Sequence, residues 1–142
     1  MAEARSRFDE HWRTFELFRE QLRQRSVMLG VDRTFARIWV LRGGTNCPLP
    51  VQLVGYLLIL FGAVGIAGAI FAALSGAYLL AVLLALLAYL SWRLFFQLAI
   101  ASSRAAALRD ETLFRRWFDE RRLSTFVKAT GEYVWNDQPV AR

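Results

Sequence analysis

The chain is two charged flanks around one long apolar stretch. From Gly43 to Trp92, fifty residues carry no charged side chain, and Arg93 is the only charge between Arg42 and Arg104. A single helix of that length would extend roughly 75 Å at about 1.5 Å per residue, more than twice the roughly 30 Å hydrocarbon core of a bilayer. The run must fold back on itself. The pattern predicts two antiparallel spans, about 49–74 and 77–100, with Ser75-Gly76 as the turn between them. So short a connection makes the two helices neighbours. Thr45 or Asn46 ahead of Pro48 and Pro50 reads as the start of the first span, because proline in the first turn of a helix forfeits no hydrogen bond. Tyr78 falls at the outer interface, and Tyr56 and Trp92 near the inner one, where amphipathic rings are favoured.

The flanks show shorter periodicities. Phe8, Trp12, Phe15, Phe18 and Leu22 recur at steps of four, three, three and four. That stripe predicts an amphipathic helix over about 6–29, started by Ser6 with Asp9 and stopped by Gly30. Such a helix suits the headgroup zone of a membrane and equally suits docking to a larger subunit. Phe35–Leu41 reads as a strand or an extended approach to the apolar run, broken by Gly43-Gly44. After the second span, 104–123 is again helical in pattern, with Leu113, Phe114, Trp117 and Phe118 on one face. Glu111 with Arg115, and Arg116 with Glu120, are four-apart pairs, each contributing a few tenths of a kcal/mol. Residues 124–129 and 132–136, around Thr130-Gly131, read as a small β-hairpin with Tyr133 and Trp135 on one side. An isolated hairpin is marginal in water, so it should lean on the preceding helix or on a partner. The fold class expected is therefore an all-α membrane protein. Its parts are a cytoplasmic amphipathic helix and linker (1–48), a transmembrane hairpin (49–101), and a cytoplasmic helix with a β-hairpin (102–142). Neither flank alone is large enough to bury a core, so the flanks should pack on each other, on the membrane surface or on a partner.

Charge sets the expected orientation. The net charge is +6, with nine basic and six acidic residues before Gly43 and nine and six again from Arg93 onward. The turn carries none. Positive flanks favour the cytoplasmic side for both termini, as in a multi-pass protein of a bacterial inner membrane. The arginines are explained by anionic headgroups, and nucleic acid is not expected as a partner. The single cysteine, Cys47, allows no intramolecular disulfide, and no metal-ligand spacing is present. His11 reads as a histidine at the solvent edge. No signal peptide is expected in the charged first 48 residues.

Three features could carry function. Gly55, Gly62, Gly65 and Gly68 in span one face small positions such as Ala81, Ala85 and Ala88 in span two; small residues let helices approach closely in lipid. They pack the hairpin on itself or seal it against another subunit, which leaves a homo-oligomer open. Arg93, with Gln97 four residues on, either snorkels to headgroups or meets a partner's acid or an anionic ligand. The pairs Arg115-Arg116 and Arg121-Arg122 face solvent or headgroups, or clamp phosphate. No phosphate loop, Ser/His/Asp set or metal spacing is legible, and the expectation is a non-catalytic, accessory or pore-forming part without a cofactor of its own.

Two resemblances sharpen this expectation. Pro50-Val51-Gln52-Leu53 at the opening of span one, Trp92 with Leu94-Phe95 at the end of span two, and Leu113-Phe114, Arg122-Leu123-Ser124 and Gly131 in the tail resemble the PgaD/HmsS family over about 70 residues. The resemblance implies a small membrane subunit that accompanies the glycosyltransferase making poly-N-acetylglucosamine for biofilm. It also implies a response to cyclic di-GMP at the contact between the two subunits, with Arg93 and Arg104 near that contact. The N-terminal 45 residues and the short outer turn have no counterpart in that family's pattern. The tight hairpin followed by Arg104-Ala105-Ala106-Ala107-Leu108-Arg109 is also similar to SLATT-type effectors of bacterial defence, which implies self-assembly into a pore. The partners expected are thus the lipid bilayer and a larger polytopic subunit such as a glycosyltransferase.

Overall fold

The computed structural model describes residue 12 and residues 14–44 and 46–134. The readings on Ser6, Phe8, Asp9, His11, Thr45, Trp135 and Asn136 lie outside the described residues. Among the described residues eight elements follow one another: α1 (Phe15–Arg23), β1 (Val27–Val31), α2 (Arg33–Leu41), α3 (Leu49–Leu74), α4 (Tyr78–Arg109), α5 (Glu111–Asp119), β2 (Leu123–Val127) and β3 (Glu132–Val134). The fold is mostly helical, with two long apolar helices and a three-stranded antiparallel sheet in the order β1-β2-β3. The chain forms two compact units, one from 1–35 with 103–142 and the other from 36–102.

The first unit joins the two flanks. Val27–Val31 pairs with Leu123–Val127, and Thr125–Val127 with Glu132–Val134. The expected tail hairpin is present, and it leans on a third strand from the N-terminal flank. That strand corrects the long first helix predicted over 6–29. Thr14 caps α1 by accepting from the Leu17 amide, and the helix stops at Arg23. Gln24 caps the C-terminal end, and Arg25 takes a left-handed φ of 58°, which turns the chain out of the helix. Gly30 does not end a helix. It lies within β1 opposite Ser124, where a Cβ would stand 2.6 Å from the serine Oγ.

The inward face of the sheet presents Val27, Leu29, Leu123, Thr125 and Val134, all buried. Thr125, fully buried, donates from Oγ1 to the Val134 carbonyl at 3.0 Å, so its hydroxyl has a partner. Against this face stand the aromatics of α1 and α5. Phe18 lies 5.1 Å from Phe114 and 5.0 Å from Trp12, centroid to centroid, and Phe15 lies 5.1 Å from Phe114. Trp12 also donates from Nε1 to Gln21 at 2.8 Å. Phe35 meets Trp117 edge-on at 4.9 Å. Such pairs contribute about 0.5–1.5 kcal/mol each beyond the area they bury. The stripe of α1 therefore faces the unit's own core. Trp12, Phe15 and Phe18 are at most 7% exposed, so those three rings face neither of the expected surroundings, the headgroup zone or a larger subunit.

The second unit is a helical hairpin with the end of α2. Residues 35–41 are helical rather than extended: Asp32 Oδ1 accepts from the Phe35 amide at 2.8 Å, and Ala36, Trp39 and Val40 bury one face at helical spacing. Gly43, at φ +61°, closes α2 in a conformation that side chains resist, and the Gly44 amide returns to the Trp39 carbonyl. Pro48 caps α3; Asn46 has a left-handed φ of 62° and does not. Gly76, at φ +81°, makes the turn between α3 and α4. The helix after the turn corrects the sequence reading. Instead of ending near Ile100 and restarting at Arg104, α4 continues for 32 residues to Arg109. No helix breaker lies in 101–109, and Asp110 then caps α5. The pairs Glu111–Arg115 and Arg116–Glu120 form at 2.9 and 3.0 Å.

The Asp110 cap makes the first unit sensitive to acid. A hydrogen bond from the Thr112 side chain, and then one from the Leu113 amide, hold its carboxyl below its ordinary value. The stabilisation is complete above about pH 3.9 and is lost as pH falls through the lowered folded value. Asp110→Asn keeps an oxygen acceptor for the cap and removes the titration. The urea midpoint read from tryptophan fluorescence should fall more steeply below about pH 4 in the parent chain than in the variant. Parallel slopes would show that Asp110 contributes nothing to the acid response.

Candidate functional site

The hairpin is the part of the molecule with unusual surface chemistry. Only 17% of the most apolar window of either long helix is buried. Phe71, Leu74 and Leu79 are 75, 83 and 77% exposed. Core helices of a soluble domain bury such side chains; here many of them stay exposed along both helices. Both helices are long and apolar enough to cross a membrane.

Small residues hold α3 and α4 together. Gly55, Gly62, Gly65 and Ala72 are buried on α3, and Ala88, Ser91, Phe95 and Ala99 on α4. A Cβ at Gly65 would stand 3.0 Å from the Ala88 Cβ and 3.2 Å from the Leu84 carbonyl oxygen, so the helices come closest there. At Gly62 the nearest atom would be the Ala88 carbonyl at 3.8 Å, an ordinary contact. Gly55 receives Val40 and the ring of Phe95, at 2.9 and 3.3 Å from a built Cβ. Gly68 is half-buried against Leu84. Of the alanines predicted to face them, Ala81 is half-buried and Ala85 exposed, and Ala88 supplies the closest contact.

Beside this seam lies an apolar groove of about 670 Å³. Ile59, Ile66, Ala85, Tyr89 and Trp92 are among the residues that line it. Arg93 is exposed and donates from Nη1 to the hydroxyl of the lining residue Tyr89 at 3.4 Å, which puts a cation beside the groove. Gln97, one turn on, is exposed as well. Across residues 36–102 the charged side chains are Arg37, Arg42 and Arg93, with no Asp or Glu. Arg37 stands 5.0 Å over the Phe96 ring, and the Tyr56 hydroxyl donates to the Leu41 carbonyl.

The remaining predicted arginines belong to the other unit. Arg104, Arg121 and Arg122 are exposed. Arg121 holds a left-handed φ of 58°, and the Arg122 guanidinium lies 5.3 Å over Phe35. Arg115 and Arg116 form ion pairs with Glu111 and Glu120. On the open face of the sheet, Met28, Phe126 and Tyr133 align across the three strands, with Met28 and Tyr133 exposed and the Phe126 and Tyr133 rings 4.8 Å apart. Among the described residues no group of three or more His, Cys, Asp or Glu could hold a metal ion.

No family model, curated protein or solved structure matches the chain.

Sequence reasoning passed over the groove, Tyr89 as a partner of Arg93, and the apolar row on the sheet. The i, i+4 spacing of Tyr89 and Arg93 was a usable signal for the second of these. The groove and the row depend on which faces the tertiary fold leaves uncovered.

The glycine contacts predict unequal tolerance. Gly65→Leu should force α3 and α4 apart and lower the thermal stability of the detergent-solubilised chain by several degrees, whereas Gly62→Ala should leave it nearly unchanged. Helix signal followed by circular dichroism reads both; equal melting of the two variants would deny the seam its place at Gly65.

Proposed function

We propose that this chain is a membrane-anchored, non-catalytic accessory subunit of a bacterial inner-membrane complex. The observation that carries the reading is the combination of an uncovered apolar hairpin with strand pairing between its two flanks. A hairpin whose apolar side chains stay exposed needs lipid as its solvent. Strand β1 precedes both long helices and β2 follows them, yet their backbones are hydrogen-bonded from Val27↔Val127 to Val31↔Leu123. Paired strands share one side of a bilayer, which supports two crossings. The excess of Arg over acid in both flanks supports the cytoplasm as that side.

The finer reading is an exopolysaccharide synthase subunit, and it rests on the resemblance to the PgaD/HmsS family. In that reading the partner is a polytopic glycosyltransferase making poly-N-acetylglucosamine, and cyclic di-GMP acts at the shared interface. Exposed Arg104, Arg121 and Arg122 then offer charge to its phosphates, and the Met28–Phe126–Tyr133 row offers apolar surface to the partner. The buried glycine seam favours this subunit over a self-assembling pore. The closest small-residue contacts are already engaged within one hairpin.

Two measurements test the proposal. With Cys47→Ser as background, a cysteine introduced at Ser75 should react with an impermeant maleimide on intact cells, while one at Thr130 should react only after permeabilisation. The opposite pattern, or both labelling together, would remove the hairpin topology. Co-expressed with the cell's poly-N-acetylglucosamine synthase, the chain should co-purify in fixed ratio, and Tyr133→Asp should weaken that association about tenfold or more. Stable rings of four or more copies from the chain alone, with leakage of vesicles, would replace the subunit reading with a pore.

A further inference from the structure

We infer that the groove between α3 and α4 is a binding site for one anionic phospholipid, its acyl chain along Ile59, Ile66 and Trp92 and its phosphate on Arg93 with the Tyr89 hydroxyl. The inference rests on the membrane reading above and adds a specific ligand to it. The groove's α3 wall runs from Ile59 to Ile70, a rise of roughly 16 Å at about 1.5 Å per residue, which is about half a hydrocarbon core of roughly 30 Å. That length fits the chain of a lipid from a single leaflet. The lining combines branched and aromatic side chains with the small Gly62, Ala85 and Ala88, so a thin flexible alkyl chain can lie where a helix side chain would otherwise fill the space.

The charge balance selects the headgroup. Residues 36–102 bring three arginines and no carboxylate, so the anion that meets Arg93 does not come from this part of the chain. Arg93 follows Trp92, a lining residue, and bonds to Tyr89, another, so the cation and the apolar walls belong to one surface. An arginine in an apolar segment is stabilised by drawing a phosphate to itself, and the fork geometry of its guanidinium matches phosphate oxygens. Gln97, exposed one turn beyond, adds an amide for glycerol or phosphate oxygens. With the basic flanks on the cytoplasmic side, the Arg93 end of the groove opens to the inner leaflet.

Native mass spectrometry of the full chain in mild detergent, with phosphatidylglycerol or phosphatidylcholine added at equal concentration, tests the site. One phosphatidylglycerol should be retained per chain, with phosphatidylcholine held about tenfold less well. Arg93→Ala should abolish that preference, and Arg93→Lys should restore part of it. Ala85→Leu, which fills the groove from an exposed position, should lower retention of both lipids. Soluble glycerol phosphate should not displace the bound lipid, because it lacks the chain. Equal retention of the two lipids by parent and Arg93→Ala chains would overturn the site, as would an Ala85→Leu chain that binds lipid normally. A dimer that Ala85→Leu converts to monomer, with lipid retention unchanged, would give the groove to a second copy instead. Failure of the membrane reading is distinguishable from all of these: the chain would then remain in solution without detergent.

Discussion

Reversal of the apolar run at Ser75-Gly76 is the constraint from which the rest follows. Two helices of 26 and 32 residues, joined by a turn, must lie side by side and antiparallel, and Gly65 against Ala88 lets their backbones approach. In lipid there is no hydrophobic force between apolar helices, so close packing of small residues has to hold them. The return of the chain has a second consequence. It allows Val27–Val31, before the hairpin, to pair with Leu123–Val127, after it. Neither flank could bury a core alone, and together they close one around Phe18, Phe114 and Trp117.

The two units solve their solvation problem in opposite ways. The flank unit buries its aromatics inside and leaves charge outside, as a water-soluble fold does. The hairpin buries glycine, alanine and a few aromatics, and leaves leucine, isoleucine and phenylalanine outside. That inversion is what a hydrocarbon solvent favours, since large apolar side chains lose nothing by facing it. The charged positions within residues 36–102 are then informative by their scarcity. Arg93 is exposed beside the groove rather than within the helix seam.

The molecule carries several distinct surfaces. The hairpin leaves large apolar side chains exposed, the open face of the sheet presents Met28, Phe126 and Tyr133, and the exposed arginines present positive charge.

Much of the architecture was legible from periodicity and charge. An uncharged run too long for one crossing dictates a hairpin, and Ser75-Gly76 supplies its turn, because chain length and bilayer thickness are both fixed quantities. The tail hairpin and the α5 ion pairs are local, and local spacing revealed them. What only the tertiary structure decided lies in contacts remote along the chain. Met28 and Leu29 carry no mark of strand pairing until Phe126 and Thr125 arrive from the other flank, and a helix over 6–29 was the reading their neighbourhood favoured. Arg25 ends α1 in a conformation that arginine rarely adopts, so no residue type announced the stop. Phe15 and Phe18 form the same stripe whether they meet lipid, a partner or the core, and packing against Phe114 chose the core. The groove beside Arg93 is likewise a property of two surfaces left apart, because a sequence states which side chains are small but not which of them a neighbour will leave uncovered.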